Sequence, residues 1–255
     1  MHNELFTIGP LTIYGYGLMI GIGILAAYWN TERLAKKSGL DPAPVFNLLI
    51  IGVGFGIFGA KLLYYITILD EIIANPKLLL NISTGFVVYG GVILGIVSTS
   101  FYCKKKKLPF LRYLDCAAPS IALAQGFGRI GCFLAGCCYG TQMDCPISIT
   151  FTHSAYAPNN VPLFPSQLVS SGFDFLHFFV LCCLLKHNKQ PGKIGAFYLV
   201  FYSIGRFTIE FFRGDLERGN IGTLSTSQFI SVFVGIVGIA MVIWLSKRKQ
   251  NDTLN

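Results

Sequence analysis

Tyr202, Arg206 and Glu210 recur every four residues in YSIGRFTIE, a spacing that sets a phenol, a guanidinium and a carboxylate on one face of a helix. Arginine grips phosphate oxygens through a two-pronged hydrogen-bonding fork, so the stripe reads as an anion site, with Glu210 orienting Arg206 or serving as a base. The plainer reading is an Arg206–Glu210 ion pair that only fixes packing. A second arginine, Arg129, sits in GFGRIG at the end of another apolar stretch. Lys61, Asp115, Asp174 and His177 also fall inside apolar stretches. Asp174 and His177 are three apart, on one helix face, and are expected to pair. Lys61 is expected to reach polar surroundings along its aliphatic stem, and Asp115 to snorkel or cap its own helix.

The chain has eight cysteines. Cys132, Cys137, Cys138 and Cys145 crowd one irregular segment, where one or two disulfides are the leading expectation. A reactive thiol at Cys132 or Cys137 is the next reading, since a nearby Arg129 would favour the thiolate. The set lacks the C-x2-C spacing of zinc sites, even with His153 nearby, so no metal is expected. Cys103, Cys116, Cys182 and Cys183 read as small apolar packing residues.

These residues must be held by elements buried in lipid. Only 13% of the 255 residues are charged and 53% are hydrophobic, about half the charge of a soluble protein, which also excludes a disordered chain. Seven stretches, roughly 12–30, 44–66, 85–103, 113–131, 166–185, 194–212 and 227–245, suit spanning helices of about 20 residues. The expected fold is therefore an all-α integral membrane protein of seven transmembrane helices, one domain over residues 1–255, with residues 132–165 as an outer-face cap. Arg33, Lys36, Lys37, the run Lys104–Lys107, Arg112, Lys186, Lys189, Lys193, Lys247, Arg248 and Lys249 make 14 of the 20 basic residues, all on one side. The opposite loops hold Lys77, Arg213 and Arg218. Basic residues stay in the cytoplasm, so the N-terminus is expected outside and the C-terminus inside. That bias also accounts for the net charge of +8 without nucleic acid. The first basic residue, Arg33, follows the first apolar stretch, so a cleaved signal peptide is not expected. Gly17/Gly21, Gly52/Gly56 and Gly91/Gly95 are each four apart and predict close helix contacts. Arg129 and Arg206, both near outer helix ends, suit a phospholipid head group.

With these residues in view, the chain resembles the prolipoprotein diacylglyceryl transferase family. The resemblance rests on YGLM (16–19), YGG (89–91), GRIGCFLAGCCYG (128–140), PSQL (165–168) and Y-x3-R-x3-E-F-F-R (202–213), in order along nearly the whole chain. It implies an enzyme of the bacterial cytoplasmic (inner) membrane that moves the diacylglyceryl group of phosphatidylglycerol to the lipobox cysteine of a precursor protein, releasing glycerol phosphate. It implies no cofactor. Carried over residue by residue, it implies catalytic roles for Arg129, Arg206, Glu210, Tyr202 and Tyr89, and substrate binding by Tyr16, Gly90, Gly91, Gly136, Cys132 and Cys137. Family members typically read H-G-G where this chain has Tyr89-Gly90-Gly91. They read G-R-I-G-N-F-x-N-G-E where this chain places Cys132, Ala135 and Cys137 at the two Asn and the Glu. A phenol with an ordinary pKa of about 10 is a poor base for a thiol of about 8.5, which leaves the base to another group such as Glu210. A different acceptor, a lipid-binding protein without turnover and a thiol-redox membrane protein are the alternatives.

Overall fold

The computed structural model describes residues 4–8, 11–80, 85–215 and 220–252; Arg218, counted among the outer basic residues, lies outside them. An antiparallel hairpin of β1 (Glu4–Ile8) and β2 (Leu11–Tyr14) leads into helix α1 (Gly15–Lys37). α2 (Ala43–Thr67), a short α3 (Leu69–Ala74), a 3-10 turn (Pro76–Leu80), α4 (Val88–Lys105) and α5 (Phe110–Ala135) follow. The loop after α5 holds the paired strands β3 (Ile149–Thr150) and β4 (Pro162–Leu163). α6 (Ser166–His187), α7 (Lys193–Glu210), the ribbon β5 (Asn220–Ile221) with β6 (Leu224–Ser225) and α8 (Thr226–Asp252) complete the chain.

Each of the seven predicted stretches thus falls on a helix of 18 residues or more. Three of them, Ala43–Thr67, Ser166–His187 and Thr226–Lys247, are long and apolar enough to cross a membrane. Trp29, Phe58, Phe101 and Trp244 stand more than half exposed on helix surfaces, the dress of a protein whose outer solvent is hydrocarbon. The all-α expectation is amended by the three short two-stranded ribbons, and one of them touches a predicted span. The stretch read as helical from residue 12 begins as strand β2, whose alternating Leu11-Thr12-Ile13-Tyr14 pairs with β1, and becomes helix only at Gly15.

The chain packs as two compact units, Met1–Leu34 with Leu114–Asn255, and Ala35–Tyr113. In the smaller unit α2 and α4 meet along glycines. A Cβ on Gly59 would strike the Gly90 carbonyl, and one on Gly91 would come within 2.6 Å of the Gly56 carbonyl. The Gly52/Gly56 and Gly91/Gly95 spacing therefore does predict a close contact. Gly17 and Gly21 do not behave so, with open space where a side chain would stand. Lys61 is buried rather than snorkelling, its ammonium 4.7–5.2 Å from the ring centres of Tyr64, Tyr65 and Phe86.

In the larger unit the helix contacts are aromatic and small-residue ones. Asn30 Nδ2 donates to Ser120 Oγ (2.9 Å) between α1 and α5. Phe127 of α5 meets Phe175 of α6 edge-on at 5.4 Å, and Ser171 Oγ donates to the Gly126 carbonyl (2.9 Å). Gly235 and Gly238 of α8 admit Ser203 and Val200 of α7. Ala118, Leu181 and Ile194 form a buried cluster joining α5, α6 and α7. Asp115 does not cap its own helix. Its carboxylate accepts the Gly192 and Gly195 amides at 2.6 and 2.9 Å, closing the N-terminus of α7, where a negative charge is favoured by the helix dipole. That bond fixes the helix that carries the stripe.

Candidate active site

Arg206 and Glu210, one turn apart on α7, form an ion pair with Nη1–Oε2 2.9 Å. Two side chains at the start of α8 hold the pair from outside: Arg206 Nη2 donates to Ser227 Oγ (2.7 Å) and Ser225 Oγ donates to Glu210 Oε1 (3.0 Å). Ser225 in turn caps α8 with Gln228, each donating its amide to the other's side chain at 3.1 Å. Tyr202, a turn below Arg206, stacks on Tyr198, whose hydroxyl donates to Gln125 Oε1. The ion pair is therefore real, and it is also part of something larger.

Arg129, Phe173, Asp174, Tyr202, Gly205 and Arg206 line one cleft. Arg129, only half-buried, makes no hydrogen bond or ion pair among the described residues. Two guanidiniums thus line one cleft, Arg206 held through both terminal nitrogens and Arg129 without a hydrogen bond among the described residues, a pairing chemically suited to an anion. Asp174 is the residue that sequence reasoning misplaced. It is 9% exposed and belongs to the cleft wall, and it has no hydrogen bond or ion pair among the described residues. The expected pairing with His177 is absent: both ring nitrogens of His177 lack partners, and the ring stacks on Tyr198 at 5.1 Å. The i, i+3 spacing brings the two to one face, but Tyr198 and Phe201 take the imidazole into an apolar slot.

The segment after Arg129 is built by backbone. Gly136 has φ +75°, and a Cβ there would strike Ser154 Oγ, so only glycine fits. Ser154 Oγ is itself occupied in accepting the Tyr156 and Ala157 amides. The PSQL motif has a physical role here. Ser166 Oγ donates to the Cys138 carbonyl (2.8 Å) and Gln167 Nε2 to the Cys137 carbonyl (2.9 Å), both side chains almost fully buried. Beyond them Phe151, Ala157 and Leu163 form a small core of the loop's own. Arg213, 6% exposed, holds Asp215 through Nε (2.7 Å) and Nη2, and bonds Cys138. Its backbone bridges Gly140. The sequence offered Arg213 only as an outer-loop basic residue and the end of a motif.

None of the eight cysteines is in a disulfide, so the expected disulfide closure is not present. Instead the sulfurs of Cys132, Cys137 and Cys138 all lie within 4.8 Å of one another, and Cys145 stands outside that group. Hydrogen bonds with Cys132 and then Cys137, aided by the charges of Arg213 and Arg129, hold the Cys138 thiol far below its ordinary range. Its bond to Cys132, then that to Cys138, and burial push Cys137 the other way. Of the cysteines expected to pack, Cys103 and Cys116 are buried, whereas Cys182 is half-buried and Cys183 exposed. Tyr16 packs over Gly131, next to Cys132. Tyr89, Gly90 and Gly91 belong to the other compact unit. There Tyr89 is 44% exposed, while Gly90 and Gly91 lie in close approach to the backbone of α2.

A family model for prolipoprotein diacylglyceryl transferase matches residues 3–244. The chain belongs to that family. A phosphatidylglycerol–prolipoprotein diacylglyceryl transferase of Clostridium tetani is 49% identical over 94% of this chain and 96% of its own. A second, of Clostridium perfringens, is 44% identical over 91% and 90%, and one of Finegoldia magna is 32% identical over 97% of each.

Proposed function

We propose that the protein is a membrane transferase that moves a diacylglyceryl group from phosphatidylglycerol to the thiol of a lipobox cysteine. The observation that carries this reading is the cleft holding both Arg206, steadied by Glu210 and Ser227, and the unengaged Arg129. The phosphate ester of the lipid fits between the two guanidiniums. Its acyl chains leave toward the bilayer along the apolar cleft wall at Val169, Ile204 and Ile209.

The acceptor thiol loses its proton to a carboxylate, and the thiolate attacks the glycerol carbon that bears the phosphate oxygen. The carbon–sulfur bond forms as the carbon–oxygen bond breaks, and the departing glycerol phosphate keeps the bond's electron pair. Arg129 and Arg206 stabilise that growing charge in a site fixed beforehand. For the proton acceptor the geometry favours Asp174 over Glu210. Glu210 has one oxygen on Arg206 and the other on Ser225, whereas Asp174 lines the cleft near the charge of Arg129 without a hydrogen bond among the described residues. Tyr202 orders the wall between them. Tyr89 is too weak a base to take that role.

Seven crossings, the N-terminus outside and the C-terminus in the cytoplasm, put the cleft near the outer leaflet of the bacterial inner membrane, with residues 132–165 as the cap. The distribution of basic residues supports that orientation. The test is turnover in nanodiscs containing phosphatidylglycerol and a lipobox peptide. The expected product is a peptide heavier by one diacylglyceryl group with an equal amount of glycerol phosphate, both lost in Arg206→Ala. Intact, lipid-loaded protein that yields neither product overturns the reading.

A further inference from the structure

Cys132, Cys137 and Cys138 converge although nothing in the proposed transfer needs three thiols. Cys132 lies in the last turn of α5, and Cys137 and Cys138 follow the positive-φ Gly136. Cys138 also has a positive φ, 59°, so the chain doubles back at this point. The Cys137 Sγ lies 3.7 Å from the Cys132 carbonyl. Both carbonyls that follow, of Cys137 and Cys138, are pinned by Gln167 and Ser166. The result is three sulfurs within 4.8 Å of one another on a backbone that is held from outside.

We propose that these three thiols form a binding site for one thiophilic divalent cation of the zinc class, closed by a water or left three-coordinate. A metal–sulfur bond of about 2.3 Å places coordinated sulfurs about 3.8–4.0 Å apart. Each sulfur therefore has to move by less than about 1 Å from its position here, within rotamer adjustment. A disulfide needs only two partners and leaves the third thiol with no role; a metal uses all three. Charge fits as well. Three thiolates and a divalent ion carry one net negative charge, beside two cations: Arg213, which already bonds Cys138, and Arg129. Outer partners of this kind orient ligands and tune the site. Cys145, which the sequence grouped with the other three, is not a ligand.

The test uses purified full-length protein in detergent, reduced with a phosphine and kept anaerobic, with Cd2+ as the probe. Titration is expected to give a sulfur-to-cadmium charge-transfer band that saturates at one ion per chain. Cys137→Ser and Cys138→Ser are each expected to weaken binding at least about 100-fold, since even outer partners are worth about 10–100-fold. Cys145→Ser is expected to titrate like the parent. A second readout needs no variant: alkylation of the parent protein with and without Cd2+, mapped by mass spectrometry, is expected to show Cys132, Cys137 and Cys138 protected together and Cys145 labelled. No saturable band, protection that leaves out one of the three, or a disulfide among them that survives the phosphine overturns the proposal.

Discussion

Two parts of the larger unit hold polar groups inside apolar surroundings, and they do it by opposite means. On α7 the groups are side chains, Tyr202, Arg206 and Glu210, placed by a four-residue repeat and anchored by Ser225, just before α8, and Ser227 of α8. In the loop after α5 the work is done by backbone: a positive φ at Gly136 and carbonyls tied to Ser166 and Gln167. The first arrangement tolerates sequence change outside its stripe and fails at once within it. The second tolerates changes of exposed side chain but not of backbone freedom. Substitutions in the stripe should therefore act on catalysis before stability, and substitutions in the loop on stability before catalysis.

The largest effect is expected for Arg206→Ala and Arg129→Ala, each lowering kcat/KM in the nanodisc assay about 1000-fold, the order seen when one preorganised charge-stabilising donor is removed. Melting temperature separates the two. Arg206→Ala strips Glu210 of its partner and should melt lower, whereas Arg129, unengaged among the described residues, should leave melting unchanged. If both melt alike, the view of Arg129 as a free anion receptor is wrong. Asp174→Asn comes next, with kcat falling about 100-fold as expected for a lost general base. Glu210→Gln should instead act through Arg206, raising KM for the lipid as well as lowering kcat. Equal KM values in the two variants would remove the distinction drawn between the carboxylates.

In the loop, Gln167→Ala leaves the buried Cys137 carbonyl without its donor, at a cost of about 1–3 kcal/mol in stability. Gly136→Ala should cost at least as much, since it adds strain at a positive φ to a clash with Ser154. Thermal melting in detergent checks both, and per folded molecule each variant should keep most of its turnover. A Gly136→Ala protein as stable as the parent would break the contrast between the two regions.

The contrast also explains what could be read from the chain. Hydropathy located every long helix, because a span is a composition before it is a structure. The Tyr202–Arg206–Glu210 stripe was legible because helical periodicity alone sets it. The glycine seam was legible between α2 and α4, yet Gly17 and Gly21, with the same spacing, face open space; spacing tells that a face is smooth, not that a helix lies on it. Asp115 closing α7, 80 residues away from Gly195, was beyond any local pattern. So were the roles of Ser166, Gln167 and Arg213 around the cysteines, which depend on three segments meeting. The expected disulfides failed because a count of cysteines carries no geometry, and the loop delivers three sulfurs to one point rather than two pairs to two.

The smallest expected effect sharpens the comparison most. Asp174 and His177 are neighbours on one face of α6, both buried, and by type either could serve as the base. The structure separates them completely: one lines the cleft, the other is packed between Tyr198 and Phe201 with both nitrogens unpartnered. A buried imidazole without hydrogen bonds contributes shape and apolar area while its polar atoms cost stability. His177→Phe preserves the ring stack and removes that cost. It should leave turnover within about twofold and melt at the parent temperature or higher, since isosteric replacement of an unsatisfied buried group is neutral to stabilising. A large loss of kcat in a well-folded His177→Phe protein, beside an unaffected Asp174→Asn, would reverse the assignment and make the imidazole the base. The same pair of variants, measured in one assay, therefore decides which of two buried groups one turn apart is the chemistry and which is the packing.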